Sequence, residues 1–107
     1  MKDESARGER DIARPTEIAR EVARLARLVL GHDAEVIWFG SWPQGKALSR
    51  SDIDLAVSTG APIPLQSMAL LQEAVDDLPT LYQVDIIDLN AVGPALRKEI
   101  LKHGEHL

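Results

Sequence analysis

Two aspartates separated by a single residue, Asp52 and Asp54, carry the strongest chemical signal in the sequence. They lie in residues 51–58, where polar and apolar residues alternate as in a β-strand. Since successive strand side chains point to opposite faces, both carboxylates lie on one face and Ile53 and Leu55 lie on the other. Carboxylates this close repel each other unless a cation lies between them. The pair therefore predicts a divalent metal site.

A third carboxylate comes from residues 81–89, a second polar and apolar segment that predicts a strand. Asp85 stands among apolar residues, where a charge without a partner is costly. Asp88 falls on the opposite face from Asp85, and alternation alone does not decide which of them shares the face of Asp52 and Asp54. We take Asp85 as the candidate and Asp88 as the reserve. All-oxygen ligands favour Mg²⁺, with Mn²⁺ as an alternative, and Mg²⁺ commonly retains substrate phosphate oxygens.

A glycine and a serine, Gly40 and Ser41, directly follow a short β-branched and aromatic segment, residues 34–39. Glycine lets the backbone approach a phosphate closely, and the serine hydroxyl and nearby amides can donate hydrogen bonds to it. Lys46 could add a positive charge close by. These three residues are the candidate phosphate-binding group.

Hydrophobic periodicity predicts the elements that must position these residues. Helices are predicted over residues 15–30, 65–78 and 94–103, and strands over residues 34–39, 51–58 and 81–89. This order predicts an α/β (α+β) fold with a small mixed sheet and helices packed on one face. Residues 1–12 are charged and aperiodic, so we expect a flexible N-terminal arm before a single domain at residues 13–107.

Composition excludes several classes of function. The chain has 107 residues, of which 45 % are hydrophobic, enough for one compact domain. No apolar segment is long enough to span a bilayer and the first residues are too charged for a secretory signal, so we expect a cytoplasmic protein. The absence of cysteine excludes disulfides and thiolate zinc sites. A net charge of -5 argues against nucleic-acid backbone binding as the main activity.

Three other features have plainer interpretations. Trp38 is predicted to lie in the core, whereas Trp42, next to the Gly-Ser pair, is equally suited to covering a nucleotide or contacting a partner. Arg20, Arg24 and Arg27 recur at helical spacing and are predicted to form a solvated face paired with nearby glutamates. None of these residues is assigned to the site.

The spacing of these motifs resembles a known signature. Gly40-Ser41, ten intervening residues and then the Asp-Ile-Asp of residues 52–54 resemble the DNA polymerase β-type nucleotidyltransferase superfamily, and most of all its minimal members. The later segments VDIIDL and ALRKEILKHGEHL fit the minimal pattern too, so that the resemblance covers about residues 18–107. One departure is that minimal members often carry basic residues after Gly-Ser, whereas residues 42–44 here are Trp-Pro-Gln.

The resemblance implies a reaction and roles. By analogy with the family, Asp52 and Asp54 bind two metal ions, and Asp85 takes the third carboxylate position and activates an acceptor hydroxyl. The Gly40-Ser41 turn holds the β and γ phosphates of a nucleoside triphosphate. The hydroxyl then attacks the α-phosphate in line and pyrophosphate leaves.

The resemblance also implies a partner. Stand-alone minimal nucleotidyltransferases resemble the antitoxin half of the HEPN/MNT module, whose other half is a helical HEPN-type ribonuclease toxin. The implied activity is transfer of AMP from ATP to a tyrosine hydroxyl of that toxin. Two alternatives stay open: a binding antitoxin that neutralises its partner by occlusion without catalysis, and a small-molecule, aminoglycoside-type nucleotidyltransferase whose acceptor pocket is completed by a second subunit.

Overall fold

The computed structural model describes residues 2–47 and 51–107, with side chains from Arg14 onward. In this part of the chain, the elements follow the predicted order of helix, strand, strand, helix, strand and helix, and a short fourth strand comes last. The helices are α1 (Lys2–Leu30), α2 (Leu65–Asp76) and α3 (Pro94–His103). The strands are β1 (Glu35–Phe39), β2 (Ile53–Ser58), β3 (Val84–Asp88) and β4 (Glu105–His106).

The strands form a mixed sheet in the order β3-β2-β1-β4. Strand β1 pairs antiparallel with both β2 and β4, whereas β2 pairs parallel with β3. A parallel pair requires a crossover connection, and α2 provides it between β2 and β3. The predicted fold class, a small mixed sheet with helices, is confirmed.

Helices α1 and α2 cover one face of this sheet. The apolar side chains of that face, among them Leu55 and Val57, pack with Val22 of α1 and with Leu71 and Val75 of α2. Both Leu55 and Leu71 are completely buried. Burying side chains of this size stabilises the fold by about 1.5–3 kcal/mol each, so this layer is the main core.

Helix α3 lies on the other face, and here the prediction of helices on one face only was wrong. Its buried residue, Ile100, packs against Ile37, Ala56 and Leu89. The physical reason is visible in β2, where residues 55–58 are all buried, as expected for a strand covered on both faces. The alternation around Asp54 suggested a strand with only one buried face.

The described helix α1 begins at Lys2, well before the start predicted at Pro15, which lies buried inside the helix. Within the residues that the structure describes, no helix has both the length and the apolar character needed to cross a membrane.

The two-residue strand β4 was not predicted, because two polar residues show no period. It is held at the sheet edge by Leu107, whose amide donates to the Val36 carbonyl at 2.9 Å. Arg27 donates from Nη2 to the Leu107 carbonyl at 2.8 Å and from Nε to the Ala34 carbonyl at 3.1 Å. Of the predicted arginine face, Arg24 does pair with a neighbouring glutamate, but Arg27 anchors this edge instead.

Candidate active site

The first aspartates of the predicted site lie at the start of β2. Asp52 immediately precedes the strand and is exposed, and Asp54 is its second residue and is partly buried. Ile53 and Leu55 on either side of Asp54 are fully buried beneath α1 and α2. Their burial fixes the orientation of the strand and directs the Asp54 carboxylate to the opposite face.

Asp85 is the register partner of Asp54 in the parallel pairing of β2 with β3. Neighbouring strands are about 4.8 Å apart, so the two carboxylates lie side by side on one face. The pairing is fixed close to the site, where the Ile53 amide donates to the Gln83 carbonyl at 2.9 Å. The register thus decides between the two aspartates of β3 that the sequence left open.

Asp88, the reserve candidate, pairs with Val57 and lies on the other face. It is almost completely buried, and both of its carboxylate oxygens accept backbone hydrogen bonds. Oδ2 accepts from the Ile63 amide at 2.7 Å, and Oδ1 accepts from the Asn90 amide at 3.0 Å. Its contacts therefore tie the β2–α2 connection to the end of β3, away from the other aspartates.

Electrostatics connect the three aspartates. Burial raises the pKa of the Asp54 carboxyl above its ordinary value, and the negative charges of Asp85 and then Asp52 raise it further. Because both neighbours act on the same carboxyl, the three side chains form one acidic group at this end of the sheet.

The Gly-Ser turn lies against this acidic group. Phe39, the last residue of β1, is the register partner of Asp54, so Gly40 follows directly beside that carboxylate. Gly40 has a φ of +87°, and a Cβ placed on it would lie only 2.5 Å from Oδ2 of Asp54. The left-handed backbone favours glycine here, and a larger residue would also displace the Asp54 carboxylate from its present position. The pairing of Phe39 with Asp54 brings together the Gly-Ser and Asp-Ile-Asp motifs, which are separate in the sequence.

The turn after Gly40 is closed by backbone hydrogen bonds. The Lys46 amide donates to the Ser41 carbonyl at 2.9 Å, and the Gly45 amide donates to the Trp42 carbonyl at 3.1 Å. The side chain of Lys46 is exposed, and no contact in the described part of the chain joins it to the aspartates. Ser41 directly follows Gly40, whose backbone lies against Asp54, whereas Lys46 is at the surface.

The donor chemistry of this group fits a divalent cation of the magnesium type. All candidate ligands are carboxylate oxygens. Burial and then the neighbouring negative charges raise the pKa of Asp54, and a bound cation would offset both effects. As positioned, no three acidic or histidine side chains among the described residues surround a common point. Asp54 and Asp85 therefore offer an adjacent pair, and waters and substrate phosphates are the usual further ligands of Mg²⁺.

Trp42 has a role that sequence reasoning missed. Its indole Nε1 donates to the Ser51 carbonyl at 3.0 Å, and its ring meets the Tyr82 ring edge-to-face at a centroid distance of 6.0 Å. Both rings pack against the core beneath α1 and α2. Its only signal in the sequence was its position after Gly-Ser, which did not indicate these contacts.

A mixed sheet that brings carboxylates of two neighbouring strands next to a Gly-Ser turn has the architecture of a polymerase β-type nucleotidyltransferase. The family described as "Polymerase beta, Nucleotidyltransferase" matches residues 15–107. The chain belongs to this family.

Solved structures with the same fold include three of particular interest. A minimal nucleotidyltransferase is 29 % identical over 87 % of this chain and 95 % of its own, with a TM-score of 0.66. An MntA–HepT toxin–antitoxin with two aspartate-to-glutamate substitutions is 21 % identical, and a toxin–antitoxin with AMP-PNP is 24 % identical. Each of these two alignments covers 82 % of this chain and 70 % of the other, with TM-scores of 0.65 and 0.62. No curated protein matches the chain.

Proposed function

We propose that this nucleotidyltransferase uses divalent metal to transfer AMP from ATP to a hydroxyl group of a partner protein. The observation that carries the proposal is the register pairing of Asp54 with Asp85, with the Gly40 backbone packed against Asp54. This places a phosphate-compatible turn and two carboxylates at one end of the sheet. The pairing is independent of the motif spacing from which the sequence prediction was made.

Asp52, Asp54 and Asp85 would hold the metal, two Mg²⁺ ions in the family pattern, with Mn²⁺ as an alternative. Bound there, the ions would neutralise charge on the triphosphate and on the attacking and leaving oxygens. Repulsion among the three carboxylates supports this assignment, because it makes the group unfavourable without a cation.

The remaining steps belong to the chain's own groups. The backbone at Gly40 and the hydroxyl of Ser41 would donate hydrogen bonds to the β and γ phosphates, and Lys46 would add a positive charge from the surface. Asp85 would accept the proton of the acceptor hydroxyl while the oxygen of that hydroxyl forms a bond to the α-phosphorus. The bond from the α-phosphorus to the bridging oxygen breaks, and pyrophosphate leaves with that electron pair.

The proposed acceptor is a tyrosine of a helical HEPN-type toxin. Two structures with this fold are toxin–antitoxins; one has two aspartates, two positions apart, changed to glutamate, and the other contains AMP-PNP. The described sheet also leaves Asp85 accessible, because β3 is an edge strand and Asp85 is exposed on it. A protein hydroxyl can therefore approach Asp85 from outside the domain.

The test is incubation of the chain and its partner with Mg²⁺ and ATP labelled at the α-phosphate. Label should enter the partner with the wild type and be lost with the Asp52→Ala, Asp54→Ala double variant. A matched control, Asp76→Ala with Asp77→Ala, removes two exposed carboxylates at the end of α2 and should leave labelling unchanged. Equal labelling by the wild type and the Asp52/Asp54 variant, or no labelling by either, would refute the proposal.

A second candidate is an antitoxin that acts by binding alone. It is favoured by one observation, that no three acidic or histidine side chains among the described residues converge on a common point. The Asp52/Asp54 double variant separates the two candidates in cells that produce the toxin. A binding antitoxin predicts full protection by that variant, whereas a transferase predicts that protection is lost.

A further inference from the structure

Trp42 is the first residue of the Trp-Pro-Gln segment that follows the Gly-Ser pair. It is half-buried and starts the turn that ends at Gly45. Its contacts reach the other two segments on which the proposed site depends.

The first contact is with the segment before β2. The indole N–H of Trp42 donates to the carbonyl of Ser51 at 3.0 Å, across nine positions of the sequence. Ser51 directly precedes Asp52. The bond therefore fixes the backbone that leads into the Asp-Ile-Asp motif relative to the Gly40-Ser41 turn.

The second contact is with the segment before β3. The ring of Tyr82 lies edge-to-face against that of Trp42, and the Tyr82 amide donates to Oγ1 of Thr80 at 3.0 Å. The next residue, Gln83, accepts the hydrogen bond that starts the pairing of β3 with β2. Trp42 thus also contacts the segment that leads to Asp85.

The two rings lie behind the site. Trp42 and Tyr82 pack against the core beneath α1 and α2, whereas Asp54 and Asp85 lie on the opposite face of the sheet. The indole therefore holds the three segments from the core side and does not line the face where substrate would bind.

We propose that Trp42 is a positioning residue: its indole holds the Gly-Ser turn, the start of β2 and the start of β3 in one arrangement. This fixes the separation between the phosphate-binding backbone and the carboxylates. The inference rests on the proposed function, because a nucleoside triphosphate is the ligand that would contact both the phosphate-binding backbone and the carboxylates. Loss of the indole N–H loosens this separation while the aromatic packing remains.

The chain offers a matched pair of substitutions. Trp42→Phe keeps an aromatic ring but removes the hydrogen bond to Ser51. Trp38→Phe makes the same chemical change in the same core, and the indole N–H of Trp38 has no hydrogen-bond partner among the described residues. Only the first substitution disconnects the turn from β2.

Three quantities are measured for both variants: the melting temperature, the dissociation constant for a non-hydrolysable ATP analogue with Mg²⁺, and kcat and KM for labelling of the partner. For Trp42→Phe we expect analogue binding to weaken and kcat/KM to fall by about 10-fold or more, because small displacements at a reacting centre are costly. Trp38→Phe should lower the melting temperature by at least as much as Trp42→Phe does. Its kcat/KM should stay within about 2-fold of the wild-type value.

Analogue binding and kcat/KM in Trp42→Phe that match the wild type, or fall no more than in Trp38→Phe, would overturn the inference. If the wild type labels no partner but binds the analogue, and Trp42→Phe weakens that binding, the transferase proposal fails while the positioning role stands. Failure of the wild type to bind the analogue rejects both.

Discussion

At Gly40 the backbone lies so close to the Asp54 carboxylate that any side chain added there would displace that carboxylate. Replacing Gly40 with alanine places a Cβ against Oδ2 of Asp54 and a non-glycine residue at a φ of +87°. The left-handed backbone should cost about 1–2 kcal/mol of stability. Displacement of Asp54 should lower the rate of nucleotidyl transfer by about 10- to 100-fold, because geometry near the reacting atoms is lost. Chemical denaturation and the labelling assay measure the two effects.

Gly45 provides the control for that substitution. Its φ is +72°, but a Cβ there meets no atom within 4 Å. Gly45→Ala should therefore lose a similar amount of stability and keep most of its activity. Equal loss of activity in the two alanine variants would mean that strain in the turn, and not contact with Asp54, explains the need for glycine at position 40.

Asp54 should make the metal-free protein less stable at neutral pH. Since its folded-state pKa is raised, the unfavourable contribution is absent below the unfolded pKa, grows between the unfolded and folded values, and stays constant above them. Asp54→Asn should thus stabilise the protein in EDTA at pH 7 by about 0.5–1 kcal/mol, the size of interactions between partly exposed charges. This gain in stability should disappear at pH values below the ordinary pKa of an aspartate carboxyl, where Asp54 is protonated in both the folded and the unfolded protein.

Thermal unfolding of the wild type and Asp54→Asn, followed against pH in EDTA, checks this prediction. Adding Mg²⁺ and ATP should reverse the order of the two proteins, because ligand that binds only the folded wild type stabilises it. A variant that is less stable than the wild type in EDTA at pH 7 would contradict the raised pKa of Asp54, to which burial and then the charges of Asp85 and Asp52 contribute.

At the scale of the element, β3 carries two aspartates with different environments. Asp88 accepts backbone hydrogen bonds from Ile63 and Asn90 with both oxygens, whereas Asp85 is exposed beside Asp54. Asp88→Ala leaves those amides without their acceptor and should cost about 2–3 kcal/mol. Asp85→Ala should change stability by no more than about 0.5 kcal/mol yet lower transfer about 100-fold or more.

Chemical denaturation together with the labelling assay separates these roles. Asp33→Ala, an exposed aspartate in the turn before β1, serves as the control for removal of a surface carboxylate. If Asp85→Ala retains full activity, or if Asp88→Ala is as stable as the wild type, the assignment of the two residues from the strand register is wrong.

The elements also show how far sequence alone could lead. Helix α3 runs from Pro94 to His103 as predicted, because a proline start, regular apolar spacing and a following glycine all agree. The predicted start of the first helix at Pro15 was wrong, because Pro15 lies inside a longer helix that begins at Lys2. Asp52 and Asp54, at the start of β2, were identified from the alternation of polar and apolar residues. Alternation could not choose between the aspartates of β3, because that choice depends on a pairing register between distant segments.

At the scale of the whole molecule, topology gathers the candidate groups at one end of the sheet. The antiparallel pairing of β1 with β2 brings the end of β1 to the start of β2, and the parallel pairing of β2 with β3 brings the start of β3 beside it. Gly40, Asp54 and Asp85, which are far apart in sequence, thereby become neighbours. Strand alternation and the burial argument named the candidate residues, but their common position follows from strand pairing, which no local pattern reveals.

The strand order β3-β2-β1-β4 has a further consequence for how the molecule loses function. Asp54 is on an interior strand, but Asp85 is on an outer one that is hydrogen-bonded to a neighbour on one side only, and segments with fewer such contacts open locally at lower free energy. Amide hydrogen exchange should therefore be faster in β3 than in β2. In urea, activity should disappear at a lower concentration than that at which α1 and α2 unfold, as followed by far-ultraviolet circular dichroism. Partial opening of one strand would thus switch the site off before the domain unfolds.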